Sequence, residues 1–165
     1  MKIIAYLLVC RKTEDTNRDS TFAELQAAII AIFGQYSKYV WQITKSPLML
    51  ENLQTGSMVV FRGMYDDRQR EKIKSITFKK GKLTWVWLEE ATEFTEEDLD
   101  ILDDRLRGQL ENPNLFYQIT LSFNPVSASH WIKSRFFDYK DADIYTHHST
   151  YLQNKFIDEA YHNVC

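Results

Sequence analysis

The sequence predicts an α/β fold whose central strands are parallel, and three observations carry that expectation. Ile3–Cys10 and Trp85–Leu88 are apolar on both faces, the pattern of strands buried inside a parallel sheet. A helical segment follows each of these runs, so strands and helices alternate along the chain. The composition is that of one folded domain spanning 1–165: 44% apolar, 14% aromatic, and only 5 Gly and 3 Pro in 165 residues.

The elements follow in order. Lys2 and the run before Cys10 imitate a lipoprotein signal, but only seven apolar residues precede the cysteine, and Arg11-Lys12 follows at once. A buried strand accounts for Ile3–Cys10 better. Arg11–Asp19 is polar and reads as a loop. Thr21 and Glu24 fit a capping box that opens a helix to about Tyr36, with Phe22, Leu25, Ile29, Ile32 and Phe33 at helical spacing. Residues 38–64 read as an antiparallel insert, with strands at Val40–Thr44, Leu48–Asn52 and Met58–Arg62.

Leu83–Leu88 is the strongest strand in the chain and ends abruptly in Glu89-Glu90. Thr95–Asp98 then opens a second helix with Leu99, Leu102, Leu106 and Leu110 on its apolar face, and Asn112-Pro113-Asn114 stops it. Strands at Phe116–Phe123 and Ile144–His147 and a short helix near Phe156–Tyr161 complete the expectation.

Several classes are set aside by counting. Cys10 and Cys165 lie near opposite ends without partner spacing, which excludes a zinc framework and points to a reducing cytoplasm. The four histidines have no acid or cysteine at ligand spacing. No apolar run approaches a membrane span. The net charge of −3 excludes a generally basic nucleic-acid coat, but charge is segregated. Arg62–Lys82 carries eight bases and three acids, whereas Glu89–Asp104 carries nine acids and no base.

Candidate chemistry lies at the strand ends, where α/β sheets place it. In Glu89-Glu90 one carboxylate can hold Mg²⁺ through its water, and the other can orient and deprotonate an attacking water. A solvated acidic strand end is the plainer reading. Asn124, closing Leu121–Asn124, can sense a phosphate or water, or simply begin a turn before Pro125. Arg62, Lys72 and Lys74 can face phosphates or form a solvated basic stretch. Arg105 and Arg107 suit the last part of the acidic helix. None of the five glycines belongs to a G-x-x-x-x-G-K-[ST] phosphate loop.

An ordered set of short stretches then gives a resemblance. Val9–Thr13, Arg18–Phe22, Thr55-Gly56-Ser57 with Phe61-Arg62-Gly63, Ile73–Ile76, Trp87–Glu93, Leu106-Arg107, Ser122–Ser127, His130-Trp131-Ile132, and Ser149-Thr150-Tyr151 with Asn154 span nearly the whole chain. Together they resemble the ATPase domain of PBSX-type phage terminase large subunits, the motors that package DNA into capsids. The resemblance implies a P-loop NTPase-like (ASCE) sheet with flanking helices. Leu83–Glu90 would be its Walker B strand, with Glu89 the magnesium-side acid and Glu90 the catalytic base.

Asn124 would tip the coupling motif, and Arg11 in the first matching stretch would face the nucleotide. Arg62, Arg105 or Arg107 would act across subunits on a neighbour's ATP or, with Lys72 and Lys74, contact DNA. ATP and Mg²⁺ would be the cofactors. Double-stranded DNA, the terminase small subunit, the portal and other large subunits would be the partners, in the host cytoplasm. The family's P-loop lies upstream of the strand matching Ile3–Cys10, and its nuclease domain lies downstream. The expectation is therefore a partial ATPase domain, without its P-loop strand and inactive alone, whose strand at Ile144–His147 either closes against Phe116–Phe123 or leaves an exposed edge. The alternatives are a non-catalytic binding module, a helicase half or a small metal-dependent hydrolase.

Overall fold

The computed structural model describes residues 2–150 and residue 153. The chain divides into two compact units, residues 1–127 and 128–165. The first unit contains six strands: β1 (Tyr6–Arg11), β2 (Trp41–Lys45), β3 (Leu48–Asn52), β4 (Met58–Gly63), β5 (Trp85–Glu89) and β6 (Gln118–Ser122). They form one sheet in the order β2-β3-β4-β1-β5-β6. β4, β1, β5 and β6 are mutually parallel, and β2 and β3 extend the sheet antiparallel. The α/β class with parallel central strands is the one the sequence predicts.

β1 has a parallel neighbour on each side, which is why its sequence is apolar on both faces. One face presents Leu7, Val9, Val59, Phe61 and Trp87 to α2 (Thr21–Phe33), which packs on it through Phe22, Leu25 and Ile29. Phe22 and Phe61 meet edge to face with centroids 5.2 Å apart. Burial of each such ring contributes roughly 1.5–3 kcal/mol. The opposite face carries Leu8, Cys10, Val60, Val86 and Leu88, all buried. On that side α4 (Asp67–Lys74) packs on β4 and against α5 (Glu96–Asp103), burying Ile73, Leu99 and Leu102.

Several expectations are corrected. β1 starts at Tyr6 because its partner ladder begins at Met58, and Ile3 stays exposed. The polar stretch read as a loop forms α1 (Glu14–Asp19). Its anchor is Asn17, fully buried, which donates to the Arg62 carbonyl at 2.9 Å and accepts from the Thr21 hydroxyl at 2.9 Å. Thr21 is thereby used, so the Thr21/Glu24 capping box does not form and Ser20 occupies the N-cap. A capping box does form at Thr95 and Asp98.

α2 ends at Phe33, and Gly34 with φ +53° turns the chain into a short 3₁₀ segment to Tyr36, followed by the single turn α3 (Ser37–Val40). α5 stops at Asp103, although Leu106 is still buried beyond it. Met58–Gly63 pairs antiparallel with β3, as the hairpin suggests, and also parallel with β1, which the sequence did not indicate. At its end, a Cβ on Gly63 would lie 2.6 Å from the Glu14 backbone nitrogen, so only glycine admits the start of α1 there.

The second unit contains α6 (Trp131–Phe136), capped by the His130 ring, which accepts from the Ile132 N–H. Ile144–His147 forms no strand, and Tyr145 is 87% exposed. A four-residue segment without a ladder partner gains too little to stay extended. Neither expected arrangement of that strand occurs; among the described residues the sheet ends at β6. The helix expected near Phe156–Tyr161, Tyr151 and Asn154 lie outside the described residues. No described helix is long and apolar enough to cross a membrane.

Candidate functional site

Three strand ends meet at the carboxyl edge of the sheet. β1 and β5 are in register through Cys10 and Leu88, so Arg11 and Glu89 stand level one residue further on. Glu89 also lies opposite Ser122, the last residue of β6. All three belong to the face that carries Val9 and Trp87. The Ser122 hydroxyl donates to the Glu89 carboxylate and accepts from the Trp87 indole N–H at 2.6 Å. The Nε of Arg11 is buried without a hydrogen-bond partner.

Glu90 follows with φ +54° and ψ +54°. It is the only non-glycine residue with positive φ among the described residues. For an L-residue that conformation costs about 1–2 kcal/mol. It breaks strand alternation immediately after Glu89, then leads into a 3₁₀ turn at Ala91–Glu93. Asn124 lies two residues beyond β6, in an exposed loop segment. Glu89, Glu90 and Arg11 are thus brought to one sheet edge, with Asn124 close in sequence to that edge.

Beside this edge, towards α4 and α5, sits a different arrangement of charge. Asp98, with no exposed surface, accepts from Lys12 Nζ at 2.7 Å, Arg70 Nε at 2.7 Å and the Thr95 backbone N–H at 3.0 Å. Lys12 also lies over the Phe94 ring. Burial alone would raise the Asp98 pKa, but the Lys12, Thr95 and Arg70 hydrogen bonds together outweigh it and hold the carboxylate below its ordinary value. This cluster ties the end of β1 to α4 and α5. Sequence reading missed it, and the only local sign was the Thr95–Asp98 cap spacing.

The basic candidates divide. Arg62 points to the α4 face, opposite from Glu89, because it pairs with Cys10 rather than Arg11. With Lys72, Met49, Met58 and Phe78 it lines an open trough of about 370 Å³. Lys74 is held by Glu71 at 2.7 Å, which raises its pKa. Arg105 donates to the Ile76 carbonyl at 2.6 Å, so it serves the loop after α4. Arg107 pairs with Asp104 and is mostly exposed.

No cluster of three or more His, Cys, Asp or Glu groups able to hold a metal occurs among the described residues. A cation at Glu89 would take one carboxylate from this chain. That suits Mg²⁺, whose shell is commonly completed by water and phosphate oxygens. Arg11 stands level with Glu89 on the same edge, with its Nε buried. Glu89 could thus supply one ligand position of such an ion, the rest coming from water or a bound ligand.

A family described as phage terminase large subunit matches residues 3–165. The chain is 35% identical over 158 residues to the terminase large subunit of Bacillus phage SPP1, covering 93% of this chain and 36% of that protein. It is 30% identical to the PBSX phage terminase large subunit of Bacillus subtilis strain 168, with the same two coverages of 93% and 36%. The chain thus spans about a third of the length of these relatives. Among solved structures, the large terminase of a thermophilic bacteriophage superposes with a TM-score of 0.59 at 15% identity, over 82% of this chain and 30% of that one. The same phage protein in complex with ADP gives 0.58 at 14% identity, again over 82% of this chain and 30% of that one.

Proposed function

Because the chain belongs to the phage terminase large subunit family, we propose that its 165 residues form part of the ATPase region of a viral DNA-packaging motor. The observation that carries this reading is the left-handed Glu90 directly after Glu89, where β5 ends between β1 and β6. A strained acid at the carboxyl edge of a parallel sheet is retained where glycine would cost less. In this reading Glu89 would hold Mg²⁺, and Glu90 would accept the proton of the attacking water. Arg11 would contact the nucleotide, and Asn124, in the loop after β6, would sense its state. Bound Mg²⁺ would neutralise developing charge on the phosphate oxygens.

The 165 residues contain no phosphate loop, so the chain by itself hydrolyses no ATP. Arg105 and Arg62 each donate to a backbone carbonyl and Arg107 pairs with Asp104, so Arg62, Arg105 and Arg107 all remain candidates to act on a neighbouring subunit's nucleotide or, with Lys72 and Lys74, on DNA. Double-stranded DNA, further large subunits, the small subunit and the portal are the partners in this reading, in the host cytoplasm. The test is a chimera in which this chain replaces the matching third of the SPP1 large subunit. Mg²⁺-dependent ATP hydrolysis should appear and fall by roughly 10²–10⁴-fold on Glu90→Gln, the usual contribution of a general base. Turnover indifferent to Glu90→Gln overturns the assignment, and robust turnover by the isolated chain overturns its inactivity.

A second reading, a non-catalytic DNA-binding module, draws on the basic stretch around α4. It requires salt-sensitive duplex binding by the isolated chain that disappears on Lys72→Glu with Lys74→Glu.

A further inference from the structure

Glu89 is the last residue of β5, where strand pairing ends. Among the described residues one side-chain hydrogen bond restrains its carboxylate, and the donor is the Ser122 hydroxyl. A serine hydroxyl has a single proton that rotates to suit its surroundings. Left alone, it is free to turn to the Leu88 carbonyl, 3.4 Å away. Trp87 restricts the choice to the Leu88 carbonyl and the Glu89 carboxylate, of which the charged carboxylate is the stronger acceptor. The Trp87 indole N–H, 2.6 Å from Ser122 Oγ, occupies an acceptor position on that oxygen and so turns the proton away from the ring.

Trp87 and Glu89 are two residues apart on the same face of β5, and Ser122 stands opposite Glu89 on β6. The three groups form one chain of donors, from indole to hydroxyl to carboxylate. Such a bond is not automatic for a buried tryptophan here, since the indole N–H groups of Trp41 and Trp85 are buried without partners. A polarised chain is also stronger than its separate bonds.

We propose that Trp87 is a positioning residue that fixes the Glu89 carboxylate through the Ser122 hydroxyl. One carboxylate oxygen is engaged by Ser122, and the other remains available to metal-bound water. The functional meaning rests on the assignment of Glu89 as the magnesium-side acid. The donor chain itself does not depend on it.

The test is the ¹H–¹⁵N spectrum of the chain, read at its four indole N–H signals, with the Trp87 signal identified by its loss in Trp87→Phe. Ser122→Ala should move the Trp87 signal upfield, and Ser122→Thr should restore it. Glu89→Gln should move it in the same direction by a smaller amount, because a neutral acceptor polarises the hydroxyl less. Glu90→Gln should leave it in place. Unmoved Trp41 and Trp85 signals show that the fold persists. A Trp87 signal indifferent to Ser122→Ala or to Glu89→Gln overturns the proposal. Should Ser122→Ala unfold the chain, Glu89→Gln decides alone. The shifts are read without metal or nucleotide, so they survive failure of the magnesium assignment. That assignment fails separately if the chimera keeps its hydrolysis with Glu89→Gln.

Discussion

Two groups of acids lie near the same end of the sheet and are treated in opposite ways. Asp98 is fully buried and met by Lys12, Arg70 and the Thr95 N–H. Glu89 is met by one hydroxyl, and Glu90 occupies a backbone conformation that opposes folding. A carboxylate with every partner in place is committed to architecture, because leaving it unpaired in the interior is costly. Glu89 keeps spare acceptor capacity and Glu90 a strained backbone, which is what the proposed roles of the pair require. Counting partners separates a structural acid from a functional one more sharply than counting acids does.

The largest test of that contrast is Asp98→Ala, which leaves Lys12 and Arg70 facing an empty site. It should lower stability by about 3–5 kcal/mol, read by urea unfolding. Next comes acid. The folded pKa of Asp98 is depressed, so its contribution is fully present above the ordinary carboxylate value near 4 and lost as pH falls through the depressed one. The stability gap between the native chain and Asp98→Asn should therefore hold from neutrality to about pH 4 and narrow below it.

Glu90→Gly acts in the other direction. Relief of the left-handed conformation should raise stability by up to about 1 kcal/mol in the same unfolding assay. A loss of stability there would mean that Glu90 is structural after all. Smallest is Glu89→Gln, which keeps an acceptor for Ser122 and should change stability by less than about 0.5 kcal/mol. A large loss would place Glu89 with Asp98 on the architectural side.

The sequence was most informative where burial is two-sided. β1 and β5 are surrounded by strands, so their apolar runs could not be mistaken for amphipathic elements. The abrupt end at Glu89-Glu90 was also legible, because it is a local change from apolar to acidic. α1 was not, since its anchor is a buried asparagine bonded to a carbonyl 45 residues away. The parallel pairing of β4 was equally hidden, since a hairpin turn before it indicates only the antiparallel neighbour. At the site, Ser122 belongs to a recognisable stretch of sequence, but its link to Trp87 depends on β5 and β6 lying side by side. Arg105 looked available in the sequence and is used at the Ile76 carbonyl, 29 residues distant. In each case the deciding contact is long-range, and periodicity carries no trace of it.

The Asp98 cluster also predicts an order of assembly. Arg70 and Asp98 are 28 residues apart, whereas Lys12 and Asp98 are separated by 86. Closing the shorter loop costs less entropy, so the α4–α5 pairing can precede the arrival of β1. Until β1 docks, the carboxylate lacks its lysine and must keep contact with water. Lys12 therefore acts as a late latch: its removal should mainly accelerate unfolding while leaving the folding rate nearly unchanged.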